Sequence, residues 1–383
     1  MNNESRTRNK ELRSDADHML MALKLARKGA GRVSPNPLVG CVIVKNGQVV
    51  GKGYHKKYGD YHAEVNALKM AGHKARGATL YVNLEPCFHY GKTPPCVDAV
   101  IAAGIKRVVI AMQDPNPKTD GRSITKLKRH GIEVCVGVCA KEARELNQYF
   151  IHAMTHKQPY VIVKVAQSLD GMITAQKGQR TQITGKRAVD YVQRLRSEVS
   201  AVLVGVNTVR VDDPLLTVRN PKKPQPKRII LDSNLSLPHT VNLFGASGGQ
   251  VILVCALPAR HKKVLAFTKR GVVVISDVPR DRQGLDLKYV LKSLYDLGLR
   301  SVLVEGGAKV FRSFLTQKLA DEWQIITAPV VYGECGLAWM SPDFFARLQL
   351  QETRTLGRDK LIVFKCSRVH ERLKVQGLRR KVK

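Results

Sequence analysis

Three potential metal ligands, His62, Cys87 and Cys96, with a carboxylate at Glu64, constrain this chain more than any other feature, because one metal ion requires them to meet at one point. A catalytic zinc takes three protein ligands and keeps its fourth position for water. A fold that satisfies the set must bring the segment after Tyr61 beside both Glu85-Pro86-Cys87 and Thr93-Pro94-Pro95-Cys96. The local pattern suits that demand. Ala63 to Ala71 carries Val65, Leu68 and Met70 at helical spacing and ends at Gly72, so His62 opens a helix, while Pro94-Pro95 lead into a second helical stretch, Val97 to Ala103. A thiol at a helix N-terminus is biased toward thiolate, the form a metal takes. Thr79 to Leu84 reads as a strand, which leaves Glu85-Pro86-Cys87 at its end, where ligand sites gather in open α/β sheets.

The chemistry of the set is that of a hydrolytic deaminase. Zinc lowers the pKa of bound water to roughly 7, and an unligated glutamate carries the proton from the attacking water to the departing amine. Each piece alone is ordinary: a His-Ala-Glu is usually a helix start, and two cysteines in a reduced chain are usually buried thiols. Their order and their shared helical context lift the reading above its parts. Nucleic-acid and cytidine deaminases usually have two residues between the cysteines, whereas Phe88 to Pro95 intervene here.

Length allows two domains of ordinary size, since the chain has 383 residues. No apolar run is long enough to span a bilayer, and Met1 to Arg13 is polar and charged without a hydrophobic leader core, so a cytosolic protein is expected. The eight cysteines form no small-domain disulfide framework, and nothing near Cys135 and Cys139 completes a second metal site. The net charge of +33 suggests anionic partners. It is spread out, with roughly +13 in the first 157 residues and roughly +20 in the rest, much of the latter from Lys365 to Lys383. A nucleic-acid site wants a concentrated patch and an aromatic platform, which are missing, and anionic small substrates with a basic host proteome account for the charge about as well.

Periodicity predicts a helix over Asp15–Ala30, strands over Gly40–Val44 and Gln48–Gly51 joined by an Asn46-Gly47 turn, strands over Arg107–Met112 and Ile132–Val138, and a closing helix over Lys141–Phe150. Polar His152–Gln158 is the expected hinge. Beyond it, Pro159–Val163, Ala201–Gly205, Arg228–Ser233, Val251–Val254 and Val272–Ile275 are short, apolar and β-branched, as buried parallel strands are. With helical stretches between several of them, they predict a doubly wound nucleotide-binding sheet. Its best nucleotide signal is Val302–Phe311, a strand that passes through Gly306-Gly307 into a helix. Glycines let a phosphate approach the backbone, and the helix N-terminus offers unpaired N–H groups. Many such turns need glycine for steric reasons alone, and the three-glycine dinucleotide fingerprint is absent. Lys164 and Asp170 are expected either to pair with each other or to act in catalysis. Arg196 and Arg219 offer planar forks suited to an anion, although an arginine on a helix is by default a solvated face, and Glu305, ending a buried strand beside the glycine turn, offers a hydrogen-bond acceptor.

Longer motifs carry a resemblance. Ser34-Pro35-Asn36-Pro37-Leu38-Val39-Gly40, Gly53-Tyr54-His55, His62-Ala63-Glu64, the run Glu85 to Cys96, and Asp114-Pro115-Asn116-Pro117 resemble the riboflavin-biosynthesis bifunctional deaminase/reductase family. So do Lys164–Gly171, Gln193–Arg196, Thr208–Arg219 and Glu305-Gly306-Gly307, over about residues 15 to 330. The resemblance implies a cytidine-deaminase-like three-layer sandwich followed by a dihydrofolate-reductase-like nucleotide-binding domain, both α/β. It implies a basic polar tail at 1–14, a zinc-dependent deaminase domain at 15–155, an NADPH-dependent reductase domain at 156–370 and a basic tail at 371–383. Zinc would be held by His62, Cys87 and Cys96, with Glu64 catalytic. Asn36, His55, Lys92, Asp114 and Asn116 would line the pocket for a ribosylaminopyrimidine 5′-phosphate. NADPH would be contacted by Ala166, Gln182, Thr208, Asp212, Ser233 and Gly307, Ala308, Lys309, Val310, Phe311, Arg312 and Ser313. The second substrate would be contacted by Lys164, Arg180, Arg196, Leu216, Arg219 and Glu305. A homo-oligomer is expected as well.

Some positions depart from the family pattern. Arg180 and Gln182 stand where a small residue and a tryptophan are usual, Ser123 where a glycine is usual, and Phe88 where a small residue follows Cys87. Losing the aromatic wall removes apolar contact area from the cofactor site. The expected reaction is deamination of the pyrimidine followed by reduction of its ribosyl group to ribityl, with Lys164 or Asp212 as proton donor. The alternatives are a monofunctional deaminase with an inactive second half, and a nucleic-acid deaminase.

Overall fold

The computed structural model describes residues 3–90, 94–245, 247–282, 284–340 and 348–366. Its first sheet contains β1 (Gly40–Lys45), β2 (Gln48–Tyr54), β3 (Thr79–Val82), β4 (Arg107–Ile110) and β5 (Glu133–Val136), in the order β2-β1-β3-β4-β5. Asn46 and Gly47 take φ values of 51° and 75°, as the tight turn between β1 and β2 requires. β1 runs antiparallel to β2 and β3, while β3, β4 and β5 are parallel. The helices are α1 (Asn3–Ala26), α2 (Ala63–Ala71), α3 (Cys96–Ala102), α4 (Arg122–Arg129), α5 (Ala140–Leu146) and α6 (Gln148–His156).

Alternation along the strands sends Ile43, Leu80 and Val108 to one face, where Ala67 of α2, Val97 of α3 and Leu127 of α4 cover them. Val42, Tyr81 and Val109 go to the other, against Met19 of α1, Ala143 of α5 and Phe150. The three layers result. α2 lies so close to β2 that a Cβ on Gly53 would stand 2.2 Å from the Ala63 carbonyl oxygen, and this approach sets where the start of α2 meets the end of β3.

Three local expectations need correction. The first helix does not begin at Asp15: the backbone of the polar N-terminal stretch is already helical from Asn3. The closing helix is two helices, broken at Asn147, whose amide accepts from Leu38 N (2.8 Å) and donates to Leu38 O (3.0 Å). The expected hinge is not loose. His152 is buried in α6, stacked on His156 (4.3 Å between centroids), edge-on to Tyr160 and 3.6 Å from Asp321.

The second sheet contains, among the described residues, β6 (Tyr160–Gln167), β7 (Ala201–Gly205), β8 (Lys227–Leu231), β9 (Val251–Val254) and β10 (Val273–Ile275). The chain then forms a separate ribbon of β11 (Arg280–Asp281) and β12 (Gly284–Leu285), and returns with β13 (Ser301–Gly306), β14 (Glu322–Thr327), β15 (Gln349–Leu356) and β16 (Asp359–Lys365). The order is β10-β9-β8-β7-β13-β6-β14-β16-β15. Seven strands are parallel, as the apolar β-branched runs predict, but β16 and β15 add an antiparallel edge. That edge escapes a reading by buried runs because β15, Gln349–Leu356, is mostly exposed and polar.

Helices α7 (Lys186–Glu198), α8 (Val206–Asp212), α9 (Asn242–Gly245) and α10 (Lys262–Lys269) precede α11 (Leu287–Asp296) and α12 (Ala308–Thr316). α11 and α12 pack on one face through Leu291, Leu294 and Phe314, with Trp323 and Trp339 stacked beneath them. Leu195 of α7, Val209 of α8 and Phe267 of α10 fill the other. No described helix is long and apolar enough to cross a membrane.

The halves meet along a polar seam. Ser34 Oγ lies 3.0 Å from Ser200 Oγ, which reaches Arg300 N (3.2 Å), and the Tyr149 and Tyr160 rings are 5.2 Å apart. Gly31, at φ 73°, faces Ser197 and Pro224: a Cβ there would stand 2.0 Å from the Ser197 carbonyl oxygen. Gly31→Ala combines a left-handed backbone with overpacking and is expected to cost about 2–3 kcal/mol. Urea unfolding measures it, and an unchanged midpoint would mean that the seam does not close as described.

Candidate active sites

His62 precedes the first turn of α2, Cys87 follows β3 and Cys96 opens α3, so three strand and helix ends deliver the three donors. The donor atoms lie within 4.8 Å of one another. His62 Nδ1 is 3.2 Å from Cys96 Sγ and 3.6 Å from Cys87 Sγ, and Cys96 N donates to Cys87 Sγ (3.2 Å). The Cys96 thiol, His62 and that N–H hold the Cys87 thiol down to about 4, which favours the thiolate. Glu64 stands one helical step on and is buried, with Oε2 lacking a partner among the described residues. Burial pushes its carboxyl up to about 7 against the pull of His62. Two sulfurs, one imidazole nitrogen and a dry orphaned carboxylate oxygen beside them fit a zinc site with an open position. Among the described residues no other group of three such side chains forms, and Cys135 and Cys139 remain apart from any.

Asn36 and His55 meet next to it. Asn36 Nδ2 is 3.1 Å from His55 Nε2, and His55 Nδ1 is 3.2 Å from the Tyr61 carbonyl oxygen. The carbonyl requires the proton on Nδ1, so Nε2 accepts. Burial lowers the His55 pKa and keeps the ring neutral; it stands edge-on to His62, 5.1 Å between centroids. Asp114 accepts from Asn116 N (2.9 Å), and burial pushes its carboxyl up to about 7. Lys92 lies outside the described residues.

Glu85 is the positioning side chain to which the motif reading gave no role. Its buried carboxylate accepts from Asp114 N (3.2 Å), Gly121 N (2.9 Å), Ser123 N (3.0 Å) and Ile124 N (3.3 Å). One group, two residues before Cys87, thus caps α4 and fixes the loop that presents Asp114 and Asn116. A carboxylate ending a buried strand was the available signal. Ser123, the departure from glycine, is fully buried and its hydroxyl lacks a partner among the described residues. Phe88 packs against the α2–α3–α4 face, with Lys126 Nζ 5.7 Å from its ring centroid.

In the second half, a cleft of about 1180 Å³ crosses the C-terminal ends of β6, β13, β7 and β8. Every residue named in that half for the cofactor or the second substrate lines it, though Asp170 does not: Lys164 and Ala166 on β6, Arg180 and Gln182 on the following loop, Arg196 on α7, Thr208 and Asp212 on α8, Leu216 and Arg219 beyond it, Ser233 after β8, Glu305 on β13, and Gly307 to Ser313. A Cβ on Gly205 would stand 2.8 Å from Val310 Cγ2, and one on Gly307 would stand 3.1 Å from Thr208 Oγ1. Gly307 is the N-cap of α12 and supplies no side-chain cap, so the first N–H groups of that helix open into the cleft. A glycine cradle at a free helix N-terminus fits a pyrophosphate.

The charged centre differs from expectation. Lys164 does not pair with Asp170. The register that sets Val163 opposite Val304 brings Lys164 beside Glu305, 3.5 Å away, while Asp170 lies past the strand and accepts from Ser168 Oγ (2.5 Å) and Gly333 N (2.8 Å). Arg196 does not present a free fork either. Its Nε and Nη2 donate to Glu305 at 2.6 and 2.8 Å, and Nη1 donates to Thr217 O (3.1 Å). Burial alone would raise the Glu305 pKa, but Arg196 and Lys164 hold it at about 2. Arg219 is exposed, its N–H donating to Gln193 Oε1 (2.7 Å). Burial raises Asp212 against the charge of Arg180. Gln182 is exposed and donates to Thr184 O (2.8 Å), so the aromatic wall is replaced by a polar rim.

Comparison with known proteins assigns each half. Residues 12–112 match the family "Cytidine and deoxycytidylate deaminase zinc-binding region", and residues 159–362 match the "RibD C-terminal domain". The riboflavin biosynthesis protein RibD of Aquifex aeolicus is 44% identical over 356 residues, 92% of this chain and 98% of that protein. That of Escherichia coli is 40% identical over 332 residues, 83% and 89% of the two chains. Among solved structures, Acinetobacter baumannii RibD superposes with a TM-score of 0.84 at 39% identity, over 93% of this chain and 99% of that one. A diaminohydroxyphosphoribosylaminopyrimidine deaminase/5-amino-6-(5-phosphoribosylamino)uracil reductase from Thermotoga maritima does so with 0.82 at 35% identity, over 93% and 99%. With a zinc-binding deaminase half and a reductase half joined as in these relatives, the chain belongs to the RibD family, the bifunctional deaminase/reductases of riboflavin biosynthesis.

Proposed function

We propose that the first half deaminates 2,5-diamino-6-ribosylamino-4(3H)-pyrimidinone 5′-phosphate and that the second reduces the ribosyl group of the product to ribityl with NADPH. The observation that carries this reading is the unpartnered Oε2 of buried Glu64 beside the His62–Cys87–Cys96 cluster. A buried carboxylate oxygen that lacks a partner among the described residues is positioned for a proton that comes from a ligand.

His62, Cys87 and Cys96 would hold the zinc, which when bound supplies the Lewis acidity that makes water nucleophilic near neutral pH. Glu64 takes the proton from that water and returns it to the departing amine. Asn36 and neutral His55 orient the heterocycle edge, because an amide offers donor and acceptor together. Asp114 and Asn116 complete the pocket, held by Glu85. In the second half, Gly307 and the start of α12 would carry the pyrophosphate, and the dinucleotide when bound supplies the hydride. Glu305, charged and rigid between Arg196 and Lys164, accepts from substrate hydroxyls at its remaining lone pairs. Arg196 therefore acts through Glu305, as a positioning residue.

Following ammonia and NADPH oxidation together, with the diaminopyrimidinone ribosyl phosphate as substrate, tests the whole. Ammonia is expected to precede oxidation, and oxidation without ammonia would sink the proposed order. Glu64→Gln is expected to lower ammonia release about 100-fold or more while zinc content and reduction of pre-deaminated substrate persist. Cys96→Ser is expected to lose the metal, read by atomic absorption, and to lower the melting temperature of the protein.

Removing Arg196 changes the pH profile in a definite direction. In the native protein Glu305 is ionised above about pH 2, so reduction does not depend on its titration at higher pH. In Arg196→Met burial is opposed by Lys164 alone, so the pKa of Glu305 rises. Reductase kcat/KM is then expected to fall on the acid side, where the variant carboxyl is protonated and the native one is not. A pH profile parallel to the native one would remove Arg196 from this role.

A further inference from the structure

We infer that a basic strip across the seam, carried by Arg32, Lys56 and Lys57 of the first half and Lys222 and Lys223 of the second, binds the phosphorylated product of the first site and guides it to the second cleft. The inference rests on the proposed two-step reaction. Composition spreads the positive charge along the chain, but the fold brings two acid-free stretches together. His18 to Gly59 and Pro214 to Leu231 contain no aspartate or glutamate. They meet at the seam, where Gly31 faces Pro224 and Arg32 Nη2 donates to Lys222 O (3.3 Å).

Each end of the strip adjoins a site proposed to handle the same phosphomonoester. At the first end, a Cβ on Gly29 would stand 2.6 Å from the His55 carbonyl oxygen, and Tyr58 N donates to Arg32 O (3.1 Å). The turn that carries Arg32 is thus bound to the His55–Tyr58 stretch, and Lys56 and Lys57 directly follow the pocket histidine. At the other end Arg219 lines the cleft, and the loop beyond it returns to the seam. Gln225 closes that loop, accepting from Val218 N (2.8 Å) and donating to Val218 O (3.0 Å). Within it, Asn220 accepts from Lys222 N at Oδ1 (3.0 Å) and from Lys223 N at its carbonyl oxygen (3.1 Å). Lys222 and Lys223 are therefore held between Arg219 and Arg32.

All five side chains of the strip are exposed, and none has an ion-pair partner among the described side chains. Two acids approach it. Asp60 acts on His55, and Glu198 lies within the combined fields of Arg194 and Lys223 from the second half and Arg27 from the first. The cations outnumber these acids, so positive charge stays in excess on both sides of the seam. A phosphomonoester carries about −1.5 to −2 at neutral pH and is drawn along a surface of this sign. Unpaired lysines hold phosphate as point charges, which lets the ligand pass from one to the next.

Isotope dilution in the whole chain tests the strip. Labelled diaminopyrimidinone ribosyl phosphate is turned over with NADPH in the presence of excess unlabelled deaminated intermediate, and the label in the ribityl product is read by mass spectrometry. At about 0.01 M salt, where the Debye length is about 30 Å, the product is expected to hold about 2-fold or more of the label that full mixing with the bulk pool gives. At about 1 M salt, where that length is about 3 Å, it is expected to fall to the mixed value. Arg32→Gln/Lys222→Gln/Lys223→Gln is expected to give the mixed value at both salt concentrations, with the kcat of each half and the thermal midpoint unchanged. Lys222→Glu/Lys223→Glu, which leaves the contact of Arg32 with the backbone in place, is expected to do the same. Mixed label in native protein at low salt, or excess label that survives the salt or the substitutions, overturns the inference. Ammonia release and NADPH oxidation, each measured on its own supplied substrate, separate it from the two-step reading. Absence of either activity in native protein overturns that reading and this inference with it, whereas two intact activities with mixed label overturn this inference alone.

Discussion

A carboxylate buried at the end of a strand organises each half of the protein. Glu85 follows β3 and Glu305 lies on β13, both almost without access to water. Burying an ionised carboxyl is costly unless its lone pairs are filled. The fold fills them in two ways. Glu85 draws in backbone N–H groups from the Asp114–Ile124 stretch, and so builds a loop and starts a helix. Glu305 draws in two cationic side chains, Arg196 from α7 and Lys164 from the adjacent strand, and so ties a helix to the sheet at the cleft. In each case satisfying one charge fixes the geometry around it.

The two sites share a further logic. Both lie where parallel strands end and helices begin, because there the backbone leaves N–H groups unpaired and side chains from several elements converge. At the first site this brings the two thiols together, with Cys96 opening α3 and donating its own N–H to Cys87. In the second, Gly307 is the cap of α12 and adds no side-chain bond, which leaves the first N–H groups of that helix for the proposed pyrophosphate. The seam between the halves is tied to the first site: Ser34, two residues before Asn36, meets Ser200, and Asn147 clamps Leu38 on the other side of the same loop. The pocket loop of the first half is therefore braced by residues from β7's approach and from the α5–α6 break.

The departures from the usual family pattern also acquire physical content. Ser123 buries a hydroxyl that lacks a partner among the described residues, yet its N–H serves Glu85, so the position contributes through its backbone. Gln182 turns its amide to Thr184 instead of offering an aromatic face, and Arg180 lies near Asp212. Apolar contact is exchanged for polar and charged groups along this rim.

What could be read directly from the chain was what depends on residue type and near neighbours. Zinc chemistry demands nitrogen and sulfur donors, so His62, Cys87, Cys96 and Glu64 announced themselves, and β-branched runs announced the parallel strands. The Gly306-Gly307 turn was visible for the same reason: only small residues permit that approach. Tertiary structure alone decided how the buried charges pair. That Lys164 meets Glu305 and not Asp170, that Arg196 spends its fork inside the protein, and that Glu85 holds a loop some thirty positions away follow from strand register and helix docking. The same holds for the hinge that is a packed helix. A polar stretch looks loose by composition, but His152 stacks on His156 within its own helix and finds Tyr160 and Asp321 only once the second sheet is in place. Local pattern specifies elements, whereas the partners of a buried charge are chosen by whatever the fold brings within reach, since only a filled shell offsets the loss of water.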